Sequence, residues 1–172
     1  MNELVKLARE TVRRLLNDEN LPENGDEVIA SELWREKRAC FVSIKTKSGE
    51  LRGCIGTLSP IHETLDQEII ANAVSSSTRD PRFPPMTSKE LDNVTFSVDV
   101  LSEPESAKIS ELNPKIYGVI VSKGYRRGVL LPDLEGVDSV EQQVSIAAMK
   151  AGIYDIDGVK LERFTVERYK EE

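Results

Sequence analysis

The sequence has few of the residues that build metal centres and disulfide frameworks. Its 172 residues include two cysteines, Cys40 and Cys54, and a single histidine, His62. Two cysteines do not make a disulfide framework, and the lack of a CxxC pair argues against a Cys/His zinc site. We therefore predict no metal and no cofactor, and a reducing, cytoplasmic location.

Long apolar runs and excess positive charge are also missing. No 18 consecutive residues are apolar, and the chain starts with the polar residues Asn2 and Glu3, so neither a membrane span nor a signal peptide is predicted. The net charge is −7, which argues against non-specific nucleic-acid binding because such binders are basic. The length suits one domain or two small lobes.

Hydrophobic periodicity predicts both helices and antiparallel strands. One strand alternates apolar and polar residues from Val94 to Leu101, which is typical of an antiparallel sheet with one polar face. Helices are predicted from Asn2 to about Asn17, from Pro60 to Ser76 behind a Ser59 cap, and after the capping box Ser139–Gln142. The other predicted strands are 39–46, 51–56, 117–122, 128–131 and 160–169. Residues 27–38 have an ambiguous pattern, in which a short helix is expected around Ser31 to Lys37.

The stretch from Leu51 to Thr57 carries the candidate chemistry. Read as a strand, it places Arg52 and Cys54 on one face and Leu51 and Ile55 on the core face. A guanidinium beside a thiol favours the thiolate, so this pattern predicts a lowered pKa for Cys54.

Two glycines in the same stretch allow two interpretations. Gly53 and Gly56 would clear space around the Cys54 sulfur for a ligand, since glycine in a strand often marks a close approach. Alternatively, Cys54 is a buried structural cysteine in a glycine-rich strand. Cys40, on an apolar strand face with no cation, is predicted to be buried and to have a raised pKa.

A stiff loop with three prolines follows the second predicted helix. It runs from Arg79 to Pro85 and includes Asp80, Arg82 and Phe83. It is either a rigid connector with an internal Asp80–arginine ion pair or an anion-binding lip. We expect it to fold back toward the strand that holds Cys54.

His62 and a basic hairpin tip each allow either a functional role or simple exposure to solvent. His62 is either a solvated surface histidine or a base. The hairpin tip with Arg126 and Arg127 is the most basic spot of the chain, and it is either simply solvated or a contact for phosphate or an acidic partner.

Taken together, the motifs resemble those of the AMMECR domain family, whose bacterial and archaeal members are called AmmeMemoRadiSam system protein A. The resemblance covers nearly the whole chain. Its motifs are Leu51-Arg52-Gly53-Cys54-Ile55-Gly56, Asp80-Pro81-Arg82-Phe83-Pro84, Tyr117-Gly118-Val119-Ile120-Val121, Arg127-Gly128-Val129-Leu130-Leu131-Pro132 and Lys150-Ala151-Gly152-Ile153.

The resemblance implies an α+β fold in one domain over residues 1–172, mainly an antiparallel sheet packed by helices, with two unequal lobes and a cleft. It places the Leu51–Gly56 motif near that cleft and establishes no catalytic activity. It also implies a shared pathway with a radical S-adenosylmethionine enzyme and a Memo-type protein. Many relatives have a second cysteine before the Lys-Ala-Gly motif, where this chain has Ala147 and Ala148, so a two-cysteine mechanism is not expected.

Two functional hypotheses follow. In the first, the chain is a non-catalytic accessory protein that presents this site to a partner or ligand. In the second, it is a cysteine-dependent enzyme acting on a small anionic substrate, with Cys54 as the nucleophile. The candidate catalytic residues are Cys54, Arg52 and His62, and the candidate substrate-binding residues are Arg82, Asp80, Gly53 and Gly56.

Overall fold

The computed structural model describes residues 2–28 and 32–171 and confirms the predicted α+β class. The helices are α1 (Glu3–Leu16), α2 (Leu65–Thr78) and α3 (Val140–Lys150). The strands are β1 (Cys40–Thr46), β2 (Leu51–Gly56), β3 (Val94–Leu101), β4 (Glu105–Ser106), β5 (Gly118–Lys123), β6 (Arg126–Leu130), β7 (Lys160–Phe164) and β8 (Val166–Lys170).

The strands form two four-stranded sheets in two compact units. The first unit contains the chain up to Leu101 and the C-terminal segment from Glu167, and its sheet has the order β2-β1-β3-β8. The second unit runs from Ser102 to Val166, and its sheet has the order β4-β7-β5-β6. The strand predicted from Lys160 to Tyr169 is therefore two strands, because β7 pairs with β5 whereas β8 joins β3 in the other sheet.

In the first unit, α1 and α2 cover one face of the sheet. The Asn2 side chain caps α1 by accepting a hydrogen bond from the Leu4 amide at 2.9 Å. The buried stripe of α1 packs with residues of β1, β3 and α2 in one hydrophobic core. On β1, Cys40, Val42 and Ile44 are fully buried, as their spacing predicts. Trp34 is also buried in this core.

Three predictions about this unit need correction or restriction. Leu51 was expected in the core but is 38% exposed, because a shift in strand register places it opposite the exposed residue Lys45 of β1. The helix expected from Pro60 begins at Leu65 instead. The short helix expected near 31–37 is a 3-10 turn at Glu32–Arg35, and Ser31 lies outside the described residues.

In the second unit, α3 packs on the sheet through Val144 and Ala147, against Val119, Val121 and Leu130. The capping box predicted at Ser139 is present: its hydroxyl accepts from the Gln142 amide at 3.1 Å. Gly128 lets the helix approach β6 closely, since a Cβ there would overlap the carbonyl oxygen of Ala147. Among the described residues, no helix is long and apolar enough to cross a membrane.

Candidate functional site

Cys54 lies on edge strand β2, directly opposite Ser43 of β1. The Cys54 Sγ and Ser43 Oγ atoms are 3.1 Å apart and form a hydrogen bond. On its other side, Ser43 lies opposite Ser97 of β3, so three small polar residues form a row across the sheet. Cys54 is partly exposed, whereas Cys40 on the helix-covered face is fully buried.

The loop from Arg79 to Pro85 folds onto this strand, as the sequence predicts. The Asp80 carboxylate accepts a hydrogen bond from the Cys54 amide at 3.0 Å. The Arg82 guanidinium donates to the Cys54 carbonyl at 3.2 Å. The outward-facing amide and carbonyl of Cys54 would otherwise be unpaired at the sheet edge, and the two side chains satisfy both. Asp80 and Arg82 are thus brought together with Cys54.

Asp80 and Arg82 form a fixed ion pair with two contacts, at 3.0 and 2.8 Å. The Asp80 side chain is 2% exposed and that of Arg82 is 55% exposed. The Arg82 guanidinium, with the amides of Cys54 and Arg82, holds the pKa of Asp80 well below its usual range. The carboxylate is therefore a permanent anchor that orients the exposed guanidinium.

Arg52, in contrast, is hydrogen-bonded to partners other than Cys54. Its guanidinium donates to Glu90 at 2.7 Å and to the Pro84 carbonyl at 2.9 Å. The pairing of β1 with β2 shifts by one residue at this point, with Ile44 opposite Gly53 and Lys45 opposite Leu51. This bulge breaks the strict alternation between Leu51 and Arg52, so it is Leu51, now opposite Lys45, that leaves the core face.

The pKa of Cys54 is raised, so the prediction of a lowered value is wrong. Burial is the main cause, and it outweighs the Ser43 hydrogen bond and the nearby charge of Arg82, which both lower the pKa. The prediction for Cys40 is confirmed, because burial raises its pKa to about 12.

The two glycines of the motif have a role in packing. A Cβ on Gly53 would overlap the backbone carbonyl oxygen of Ser76, so this glycine allows α2 to lie close to β2. A Cβ on Gly56 would overlap the ring of Phe41, its cross-strand neighbour. Both positions thus have a structural explanation, and their predicted contact with a substrate stays a prediction.

His62 lies in the loop before α2 and is held by Glu68. Its Nδ1 atom is 3.0 Å from the Glu68 carboxylate, which is 1% exposed. The same carboxylate accepts from the Thr57 hydroxyl and from the Ile61 and His62 amides. These bonds fold residues 57–62 around Glu68, which explains why the helix does not start at Pro60.

Glu68 was missed by the sequence analysis. Burial alone would raise the pKa of Glu68, but the hydrogen bonds from Thr57 and His62 outweigh it, so the pKa is lowered. The available signal was the polar row Glu68, Asn72 and Ser76, which has the same four-residue spacing as the apolar row of Leu65, Ile69 and Ala73 next to it. Among the described residues, the only side chain hydrogen-bonded to the Cys54 thiol is Ser43, and His62 does not bond to it.

No metal centre is evident in the described part of the chain, where no three His, Cys, Asp or Glu residues could hold an ion together. The predicted cleft between the lobes stays a prediction.

Comparison with known proteins places this geometry in a family. The AMMECR1 family model matches residues 5–172. The chain belongs to the AMMECR1 family. A protein of Thermotoga maritima is 54% identical over 147 residues, which cover 84% of each chain. A protein of Clostridium acetobutylicum is 47% identical over 167 residues, which cover 97% of this chain but 36% of that longer protein.

A solved structure supports the fold. The crystal structure of an uncharacterized protein from Pyrococcus horikoshii, PH0010, is similar with a TM-score of 0.87 and 33% sequence identity. The similarity covers 98% of this chain and 90% of that one. Ala147 and Ala148, which precede the Lys-Ala-Gly motif, lie on α3 and are both buried.

Proposed function

We propose that this chain is a non-catalytic accessory protein that binds an anionic group of a partner or shared substrate through Arg82, which Asp80 orients next to Cys54. The proposed partners are a radical S-adenosylmethionine enzyme and a Memo-type protein acting in one modification system. The pathway part of the proposal depends on the family resemblance. The binding part depends on the site itself.

The observation that carries the proposal is the state of the thiol. A cysteine nucleophile needs a lowered pKa or an adjacent base. Cys54 has a raised pKa, and its thiol is hydrogen-bonded to the neutral hydroxyl of Ser43. The arginine expected to activate it, Arg52, is paired with Glu90. These features favour a recognition surface over a nucleophile.

Arg82 supplies the recognition chemistry. Its Nε and Nη2 atoms bond to Asp80 and to the Cys54 carbonyl, while Nη1 has no hydrogen bond to any residue in the described ranges. The guanidinium is more than half exposed yet fixed in orientation. A preoriented guanidinium with a free edge suits a carboxylate or phosphate group.

The alternative is a cysteine-dependent enzyme acting on a small anionic substrate, with Cys54 as nucleophile. One observation favours it: the sulfur is partly exposed, and the charge of Arg82 acts on it to lower its pKa. An anionic substrate bound at Arg82 would lie close to the thiol. In this alternative, His62 would have to reach the substrate through a rearranged loop.

The pH dependence of thiol alkylation separates the two functions. Iodoacetamide labelling of Cys54, followed by mass spectrometry, should accelerate with rising pH and show no plateau below about pH 9, since the thiolate reacts and its pKa is raised. A plateau near neutral pH would show a thiolate at rest and would favour the enzyme.

Binding is tested with a purified radical S-adenosylmethionine enzyme and a purified Memo-type protein, the proposed partners. Cys54→Ser should bind these proteins like the unaltered chain, whereas Arg82→Ala should bind them about tenfold more weakly. Arg127→Ala, in the other unit, is the matched control and should leave binding unchanged. If Cys54→Ser abolishes a measured turnover while binding persists, the accessory function is wrong.

A further inference from the structure

The largest exposed apolar side chains of the second unit gather at the C-terminal end of α3. Tyr125 is 92% exposed, Tyr154 is 86% exposed and Met149 is 64% exposed. Soluble chains seldom leave several such side chains together in water without a use for them. Tyrosine, methionine and arginine are enriched in protein interfaces, and tyrosine and arginine are frequent hot spots.

Hydrogen bonds hold the segments that carry these exposed side chains next to each other. Arg126, next to Tyr125 at the β5–β6 hairpin tip, donates to the carbonyl of Gly152 just after α3. Lys123, on the other arm of the hairpin, donates to the carbonyl of Asp155 at 3.0 Å. The hairpin tip is therefore fastened to the segment that carries Tyr154. Residues Tyr125, Arg126, Met149, Lys150 and Tyr154 are called the α3-end surface.

The α3-end surface is positive, although the chain as a whole is negative. Arg126 and Lys150 bond to the neutral carbonyls of Gly152 and Val129, and neither has a carboxylate partner among the residues described. Lys123 adds a third positive charge, which Asp155 offsets at 3.6 Å. Asp157 lies on the same segment as Asp155, so Arg126 and Lys150 carry the positive character of this surface, in a chain whose net charge is −7.

We propose that the α3-end surface docks an acidic protein segment, in which carboxylates flank apolar side chains. Carboxylates would pair with Arg126 and Lys150, while the apolar side chains would cover Met149 and the tyrosine rings. A second copy of this chain bound through the same surface would place these cations against each other. A nucleic acid would stack on the tyrosines but would leave Met149 uncovered. This proposal does not involve the site at Cys54.

The probe is a fluorescein-labelled amphipathic peptide with leucine and phenylalanine on one face and glutamate on the other. Its binding to the full chain is followed by fluorescence anisotropy. We expect a micromolar dissociation constant that weakens as salt rises. The same peptide with lysine for glutamate, and a labelled single-stranded oligouridylate, should bind at least about tenfold more weakly.

Matched variants locate the binding. Arg126→Glu and the double variant Tyr125→Ala with Tyr154→Ala should each weaken binding about tenfold or more. Arg127→Glu is the control for charge, because Arg127 lies opposite Ser122 on the alternate face of the hairpin from Arg126. Ile116→Ala is the control for apolar exposure, since Ile116 is 55% exposed elsewhere in the unit. Circular dichroism confirms that each variant is folded.

Four results would overturn the proposal. The first is no binding of the glutamate peptide at about 1 mM. The second is equal loss in Arg126→Glu and Arg127→Glu, which would indicate unspecific attraction. The third is tighter binding of the oligouridylate, which would assign the surface to nucleic acid. The last is self-association in analytical ultracentrifugation that Tyr154→Ala removes, which would assign it to a second copy.

Discussion

The two faces of the first sheet differ in what covers them, and the two cysteines report that difference. Cys40 lies on the face covered by α1 and α2, where it is fully buried and its pKa is raised to about 12. Cys54 lies on the adjacent strand, on the polar face beside Ser43, and is partly exposed. A cysteine side chain is therefore an unreactive part of the core on one face of the sheet and accessible to a ligand or partner on the other.

Residues of the Leu51–Gly56 motif also lie on different faces of this sheet and have different roles. Gly53 faces the helix side, where it admits the backbone of α2 at Ser76. Cys54 faces the polar side, where Asp80 and Arg82 close the strand edge. The motif therefore has a packing residue, Gly53, on one face of the sheet and a candidate binding residue, Cys54, on the other. A substitution can test either residue without changing the other.

The largest expected effect is on the helix-covered face. Gly53→Ala should destabilise the fold by about 3 kcal/mol, because the added methyl group meets the Ser76 backbone, which cannot turn away as a side chain would. Chemical denaturation measures the loss. Gly49→Ala in the same hairpin is the control: its φ is +93°, but nothing lies within 4 Å, so about 1 kcal/mol is expected. Equal losses would show that α2 can shift away.

The second effect concerns the loop that joins the motif to α2. Glu68→Gln should cost about 2 to 3 kcal/mol, because a buried carboxylate with several donors is replaced by an amide. The pKa of Glu68 is lowered in the fold, so its stabilisation is full above the ordinary value and is lost as pH falls through the folded value.

Thermal denaturation between about pH 2 and pH 7 measures this effect. The unaltered chain should lose stability on acidification, and Glu68→Gln should lose less over the same range. Glu63→Gln is the matched control, because its side chain is 81% exposed and pairs only at the surface with Lys37. An unchanged pH profile in Glu68→Gln would show that the carboxylate is not the acid-sensitive group.

The third effect is local to the polar face. Asp80→Asn should cost about 2 kcal/mol, since the amide can still accept from the Cys54 amide but loses the charge that holds Arg82. Hydrogen exchange at the Cys54 amide should become faster, and the 79–85 loop should become more sensitive to protease. Asp92→Asn, at an exposed position, should change neither measurement. Unchanged exchange at Cys54 in Asp80→Asn would mean that the loop closes the edge without this carboxylate.

Local patterns in the sequence predicted much of this architecture. Period-two alternation identified β1 and β3, and capping residues identified the starts of α1 and α3. The proline-rich loop was correctly expected to return to the Cys54 strand. These features are determined by residues that are close together in the sequence, so they can be predicted from a single sequence.

Failures occurred where distant residues decide the outcome. The bulge at Arg52 depends on the register with β1, and the pairing of Arg52 with Glu90 spans 38 positions. α2 begins at Leu65 and not at Pro60 because the Glu68 carboxylate accepts hydrogen bonds from the amides of Ile61 and His62. The pKa of Cys54 depends on burial, which a single strand does not determine.

The smallest expected effect tests which arginine acts on the thiol. At a fixed mildly alkaline pH, iodoacetamide should label Cys54 much faster than Cys40, because Cys54 is more exposed. Arg82→Ala should slow Cys54 labelling about two- to threefold, since removing the nearby cation raises the thiol pKa further. Arg52→Ala should leave the rate unchanged, because that guanidinium is bound to Glu90. The sequence alone predicted the opposite assignment, so slower labelling in Arg52→Ala but not in Arg82→Ala would restore it.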